Sequence, residues 1–463
     1  MKKALVSSLA LLASTLAPAC SLILDFTECT EDAHCSDDGE LICVAERCEE
    51  SGPVVSVSAN VSSDTVWRAE NTYVLKDIIY VLPGARLTVE AGTTILGDQE
   101  SALVVAPGGR LEALGTSERP VVFTSSKPEG MRAAGDWGGV SLLGYARVNT
   151  PSPLLEGLAD AEFARFGGND DDHNCGVIQY TRIEFAGRAL EKDAELNGLT
   201  LAGCGSKTVI DYVQVHRGLD DGLELFGGTV DLRHVVITAS ADDGLDWQLG
   251  WTGSAQFVAI EQREGGDAGI EADNFEDDHD AAPRSSPRLY NVTILGVAGG
   301  QRGAVLRRGT GGVLSNLLIV GESTEAIDIR DAATVAALSS GGLAVRNSMF
   351  FGNGPGGAHH FPTLEDEPPG SEDDDDDGFD EAMFLVDPAL ANSVDLDPQL
   401  ASVANATAPG WVPSASAAVR ANADRPPAEH DGATFDDTAD YVGAFNPDAA
   451  NLWTSGWTAY PVN

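Results

Sequence analysis

The chain has 463 residues, 43% apolar, with 51 glycines and only 6% aromatic residues. That length exceeds one ordinary compact core but suits an elongated repeat fold with many tight turns and thin packed layers. Lys and Arg number 28 against 72 Asp and Glu, a formal charge of −44, which argues against nucleic acid as a partner, since phosphate binding needs a basic face. Divalent cations are the natural counter-ions for such a chain; the plainer reading is charge that keeps an exported protein soluble.

Residues 1–19 read as an export signal. Lys2 and Lys3 precede an apolar run from Ala4 to Ala17, and small residues lead to Cys20. The run is too short to be held across a bilayer. The Leu-Ala-Pro-Ala-Cys ending resembles a bacterial lipobox, so Cys20 is the expected lipid anchor and the membrane the expected partner. Ala17 and Pro18 depart from the commoner pattern, which leaves plain secretion, with Cys20 discarded, as the alternative. Ser21 favours the outer membrane, by resemblance to enterobacterial sorting.

Residues 20–52 form a Cys-rich stalk. Without Cys20, the remaining Cys29, Cys35, Cys43, Cys48, Cys175 and Cys204 are even in number, as an oxidising compartment favours. The first four fall within twenty residues and suggest a two-disulfide knot with three connectivities. Zinc ranks lower because no CxxC pair occurs. The knot resembles the Cys-rich stalks of myxobacterial lipoproteins.

Residues 53–350 repeat. The segment YVQVHR from Tyr212 matches HVVITA from His234, 22 residues on; NVTILG from Asn291 matches NLLIVG from Asn316, 25 on; NSMFFG from Asn347 follows after 31. A second series runs through GLEL at Gly222, GLDW at Gly244, GIEA at Gly269, GAVL at Gly303 and AIDI at Ala326. Short alternating strands at such a period bury their apolar faces only by stacking on their neighbours. The expected fold is all-β, a single-stranded right-handed parallel β-helix with N- and C-terminal caps. About 22 residues per coil gives on the order of thirteen coils over about 60 Å. A two-sheet sandwich is the competitor, but its strands pair antiparallel and need no fixed period.

The segments LTVEAGTTILG, GDWGGVSLLGYARVN, FGGNDDDHNCGVIQYTRIEFAG, DDGLELFGGTVDLRHVV and DDGLDWQLGWTGSAQF, with DYVGAF and WTSGWT near the end, resemble a family of large secreted β-helix proteins of Bacteroidetes and their relatives. The resemblance covers nearly all of residues 80–460. It implies export and a β-helix and carries no established activity. Cys175 and Cys204 stand where that family has Ser and Val, a change that fits a disulfide between adjacent coils.

Residues 50–80 are the expected N-terminal cap and 381–463 the C-terminal cap, with Trp453 and Trp457 sealing apolar surface or stacking on carbohydrate. Between them, 351–380 reads as an acidic low-complexity loop, its run from Ser371 to Gly378 solvated and unsuited to an ion site.

Chemistry is best placed at the repeated acidic turn. Asp220, Asp221 and Glu224 recur one coil later as Asp242, Asp243 and Asp246, so equivalent carboxylates stack about 5 Å apart and repel by roughly 3 kcal/mol per pair at an effective dielectric near 20. Calcium, a shared proton, or bonds to turn amides and to Arg217 or Arg233 could relieve them. The plainer reading is a turn, with Gly222 and Gly244 supplying positive φ and Glu224 and Asp246 facing solvent. The loops Asn169–Asp172 and Glu276–Asp280 carry no repeat and read as ordinary surface. The histidines show no metal-ligand spacing, and His234 stands where Tyr212 does, a stack position. Pectin hydrolases of this shape use His-Gly and Arg-x-Lys motifs that are missing here. Arg307 and Arg308 are the sole candidates for a lyase base, and arginine is a poor one; ion pairing is the simpler role. The composite expectation is a non-enzymatic surface protein that binds polysaccharide, extracellular matrix or a partner, with a calcium-dependent polysaccharide lyase or hydrolase, or a plain spacer, as alternatives.

Overall fold

The computed structural model describes residues 41–44, 47–50 and 52–463, apart from 159–161, 192–193, 264, 298–299, 372–373, 402–408, 415 and 431–432. The chain divides at Ser51 into two units. In the first, Leu41–Val44 pairs antiparallel with Arg47–Glu50 and sets Cys43 opposite Cys48 in register. Cys20, Cys29 and Cys35, and with them the lipid anchor and the rest of the knot, lie outside the described residues. No described helix is long and apolar enough to cross a membrane.

The second unit is a parallel β-helix. One sheet stacks nine short strands, from Ile78–Val81 to Glu325–Ile329, and a second stacks the long strands Gly176–Glu184, Val209–His216, Asp231–Thr238, Ser254–Gln262, Arg288–Gly296 and Gly312–Val320. The repeat read from the sequence is the stacking register: Val213 pairs with Val235, Val292 with Leu317, and Leu223, Leu245, Ile270, Ala304 and Ile327 follow one another up the short-strand sheet. Alternation supplies the core, because every second residue points inward; Leu223, Leu225, Leu245, Trp247 and Ile270 are all fully buried.

The short-strand sheet holds nine described rungs, and the path through the long-strand sheet twelve described strands, against about thirteen coils expected. Eleven steps of ~4.8 Å give a coil of roughly 50 Å. Leu103 pairs with Val140 and Val140 with Leu199, so two coils carry long excursions. Part of one, with Leu155, Leu158 and Phe166, packs on Tyr80, Val104 and Phe226 and covers the outer face of the short strands. The expected N-terminal cap is already coiled, with Val54–Val57 stacked in parallel on Thr72–Leu75.

The long strands bend at one left-handed residue each: Tyr180, Tyr212, His234, Phe257, Asn291 and Asn316, with Asn347 continuing the series. Asn tolerates that conformation. The aromatic residues, for which it is costly, stack as a ladder with centroids 4.3, 4.2 and 5.1 Å apart. His234 is thus the stack position that its alignment with Tyr212 predicts.

The C-terminal segment closes the end of the coil only at its start, through Leu385. It runs back along the bend. Asn347 donates to Asn422 O, Asn316 to Asp424 O and Asn291 to Tyr441 O, while Gln214 and Ala459 exchange two hydrogen bonds. Trp457 is fully buried and meets Tyr180 and Tyr212 edge-on, each at 6.0 Å, so it seals apolar surface. At the end of the coil Phe361 joins Leu385 in the main core.

Cys175 and Cys204 form a disulfide with Cα atoms 5.8 Å apart. It joins the start of one coil to its end, where the next begins. Closing a loop of 29 residues stabilises by about 3–4 kcal/mol in the chain-entropy picture. Replacing both with serine is expected to lower unfolding free energy by that amount in a denaturant titration and to abolish the effect of reductant on this unit; an unchanged midpoint would show the bond to be energetically silent.

Candidate metal centre

Each acidic turn leads directly into a short strand, Leu223–Phe226 or Leu245–Gln248. Gly222 and Gly244 sit between turn and strand, and neither has positive φ. They are glycine because there is no room: a Cβ at Gly222 would lie 2.2 Å from Ile237 Cγ2, and one at Gly244 2.6 Å from Gly269 O. The turn-forming role expected of them gives way to close packing between coils.

That packing draws the preceding aspartates inward. The Asp243 amide donates to Asp221 Oδ1 at 3.0 Å, and the Ala268 amide to Asp243 Oδ1 at 2.6 Å. Each carboxylate therefore caps the backbone of the coil that follows. In the strands, Glu224, Asp246 and Glu271 pair in register as one column. This column is not in solvent, contrary to the plainer expectation: Glu224 is 3% exposed and Asp246 6%. Glu224 accepts from Asn197 Nδ2 at 2.5 Å and Gln248 Nε2 at 3.0 Å. Asp246 Oδ1 is buried with no hydrogen-bond partner.

The six acidic residues singled out by the repeat, joined by Asp267, fall into three interlocking groups, in each of which one oxygen per residue lies within 4.8 Å of the others. These are Asp220, Asp221 and Asp242; Asp221, Glu224 and Asp246; and Asp242, Asp243 and Asp267. The middle group is buried throughout. Burial, and then the charges of neighbouring carboxylates, hold Asp221, Glu224, Asp243 and Asp246 well above the usual carboxylate range. Glu271 is pushed up to about 7, burial again leading and Arg307 opposing it.

Relief comes from cations other than those expected. Arg217 feels Arg263 and Glu261, and Arg233 lies over the Phe257 ring. Arg307 instead binds Glu271 and reaches Asp273 at 2.9 Å, and Arg308 reaches Asp273 at 2.7 Å. The ion-pair role read for these two arginines is the one they fill. They act at the upper end of the column, and among the described residues the hydrogen bonds to Asp221 and Glu224 come from a backbone amide and the side-chain amides of Asn197 and Gln248.

The donor set fits calcium. It is all hard oxygen, and calcium takes six to eight such ligands at roughly 2.3–2.6 Å, so opposed ligands lie on the order of 4.8 Å apart. The loops with weaker claims are ordinary surface: Asp171 pairs with Arg147, Asp172 with Lys207 and Asp280 with Arg284. His216 bonds Thr238 and the Pro461 carbonyl, and burial pushes it down to about 4.

Sequence reasoning missed Asp267 and Glu271 as parts of the cluster, although Glu271 belongs to the repeated GIEA strand. It also dismissed the acidic run near the end, where Asp376 and Glu381 are each 1% exposed. No periodic signal marks that segment.

No curated protein and no solved structure gives a significant match to the chain. The pectate-lyase-like β-helix domain does, over residues 59–357, which hold every coil from the second rung on and the whole acidic column. The chain belongs to the pectate-lyase-like β-helix family.

Proposed function

We propose that this chain is an exported, lipid-anchored surface protein that binds rather than cleaves, its β-helix stiffened by calcium in the acidic column. The observation that carries the proposal is the buried trio of Asp221, Glu224 and Asp246, with Asp246 Oδ1 lacking any partner. A cation would satisfy that oxygen and remove the mutual repulsion of two coils at once. The expected anchor is Cys20 at the outer membrane, and the expected partner a polysaccharide or matrix component offered along the rod. A lyase would need a free base, but Arg307 is committed to Glu271 and Asp273, and their charges raise its pKa above the ordinary value against the opposing effect of burial. The family's description favours a lyase as the second reading.

Calorimetry of the full chain tests the first. At a thousandfold excess over its Kd, calcium contributes about 4 kcal/mol, or roughly 5 °C for a body of about 400 residues. Chelator is expected to remove this shift, and the variant D221N/E224Q/D246N to lack it. A panel of acidic polysaccharides should then show retention without new unsaturated or reducing ends. Release of such ends would replace binding by turnover, and an unmoved melting temperature would remove calcium from the column.

A further inference from the structure

The acidic segment at the end of the coil carries a second cluster. The geometry points to a divalent-cation site formed by Glu367, Asp376 and Glu381, taking calcium and bracing the closing segment that packs on the end of the coil. Their oxygens lie within 4.8 Å of one another. Asp376 and Glu381 are buried, yet both Glu381 oxygens, Asp376 Oδ2 and Glu367 Oε2 have no hydrogen-bond partner. One oxygen from each of the three acids faces a common space. A proton shared between two of these acids would satisfy one oxygen pair and leave the third bare; a hard cation engages all three.

The segment is built to hold these oxygens in place. Asp376 Oδ1 accepts from the amides of Gly378 at 2.9 Å and Phe379 at 3.0 Å, which turns Oδ2 toward the cluster. Asp374 accepts from the Gly370 and Gly378 amides. The neighbouring cation, Arg330, is taken by Asp328 at 2.7 Å and Asp375 at 3.3 Å. Burial, followed by acidic neighbours, pushes Glu367 up to about 8 and Glu381 up to about 9. Phe379, Ala382 and Phe384 pack against the main core that Leu385 joins. An ion here would therefore brace the closing segment from within, in the fold that sets Phe379, Ala382 and Phe384 on the coil. The site lies beyond residues 59–357, the stretch shared with the family, and shares no residue with the column.

The test uses the full chain and calcium itself. D221N/E224Q/D246N is expected to keep one calcium per chain by equilibrium dialysis. Calcium should still slow protease cleavage within 363–385 by about tenfold, since cleavage follows the population of the opened segment. Adding D376N/E381Q should abolish both effects. If that combination fails to fold by circular dichroism, D376N/E381Q alone should lose one bound calcium and the protection, and the part-exposed E367Q should weaken affinity by about tenfold or more. The inference is overturned if the column variant binds no calcium, or if D376N/E381Q leaves stoichiometry and cleavage unchanged. Loss of the column's calcium alone would sink only the proposed function.

Discussion

In chelator, the melting temperature is expected to fall as pH rises from 5 to 8, and calcium to cancel the fall. The sign follows from the buried acids. Asp221, Glu224, Asp243 and Asp246 are held above the ordinary range, and Glu271 sits near 7. In the unfolded chain each has an ordinary carboxylate pKa near ~4. Between those limits the folded state binds more protons, so stability is complete at low pH and is lost as pH climbs through the folded values. Glu271 alone, moved from 4.5 to about 7, represents about 3 kcal/mol, or roughly 4 °C at this chain length; the other four add to it. Calcium replaces the missing protons, so its stabilisation should grow with pH and its binding should release protons, readable by calorimetry in buffers of different ionisation enthalpy. General repulsion in a chain of −44 also rises with pH, so D221N/E224Q/D246N serves as the control and should show a flatter curve. Identical slopes for variant and parent in chelator would sink this account.

The second large effect is expected at Arg307. Changing it to Met leaves Glu271 and Asp273 without the guanidinium that now joins them. Breaking a largely buried pair while leaving its partners behind costs about 3–5 kcal/mol. The loss should be larger at pH 8 than at pH 5, because Glu271 is then ionised, and Glu271→Gln in the same chain should recover part of it. A double-mutant cycle reads that coupling, expected at about 1 kcal/mol or more. A loss below about 1 kcal/mol would reduce Arg307 to an ordinary surface ion pair.

The coil was legible because its period is local: Val213 and Val235, or Leu223 and Leu245, carry the same residue type at the same offset. The same offset assembled all six acids of the column. Their burial was not legible, since it depends on packing at Gly222 and Gly244 and on an excursion folded over the sheet. The path of the C-terminal segment left no pattern at all, since Gln214 meets Ala459 across 245 residues. Glu367, Asp376 and Glu381 were passed over because a run of acids looks solvated until turn amides orient it.

That returning segment changes how the solenoid should come apart. Coils joined only to their neighbours fray from either end, each rung lost almost independently. Here Trp457, Ala459 and Pro461 bond Arg182, Gln214 and His216, while Asn422 and Asp424 hold Asn347 and Asn316. Peeling a terminal rung therefore strains a strap shared by the middle ones, and local breathing becomes a collective event. Such long-range closure slows folding. Once docked, the strap guards the stack against the partial opening on which proteolysis depends.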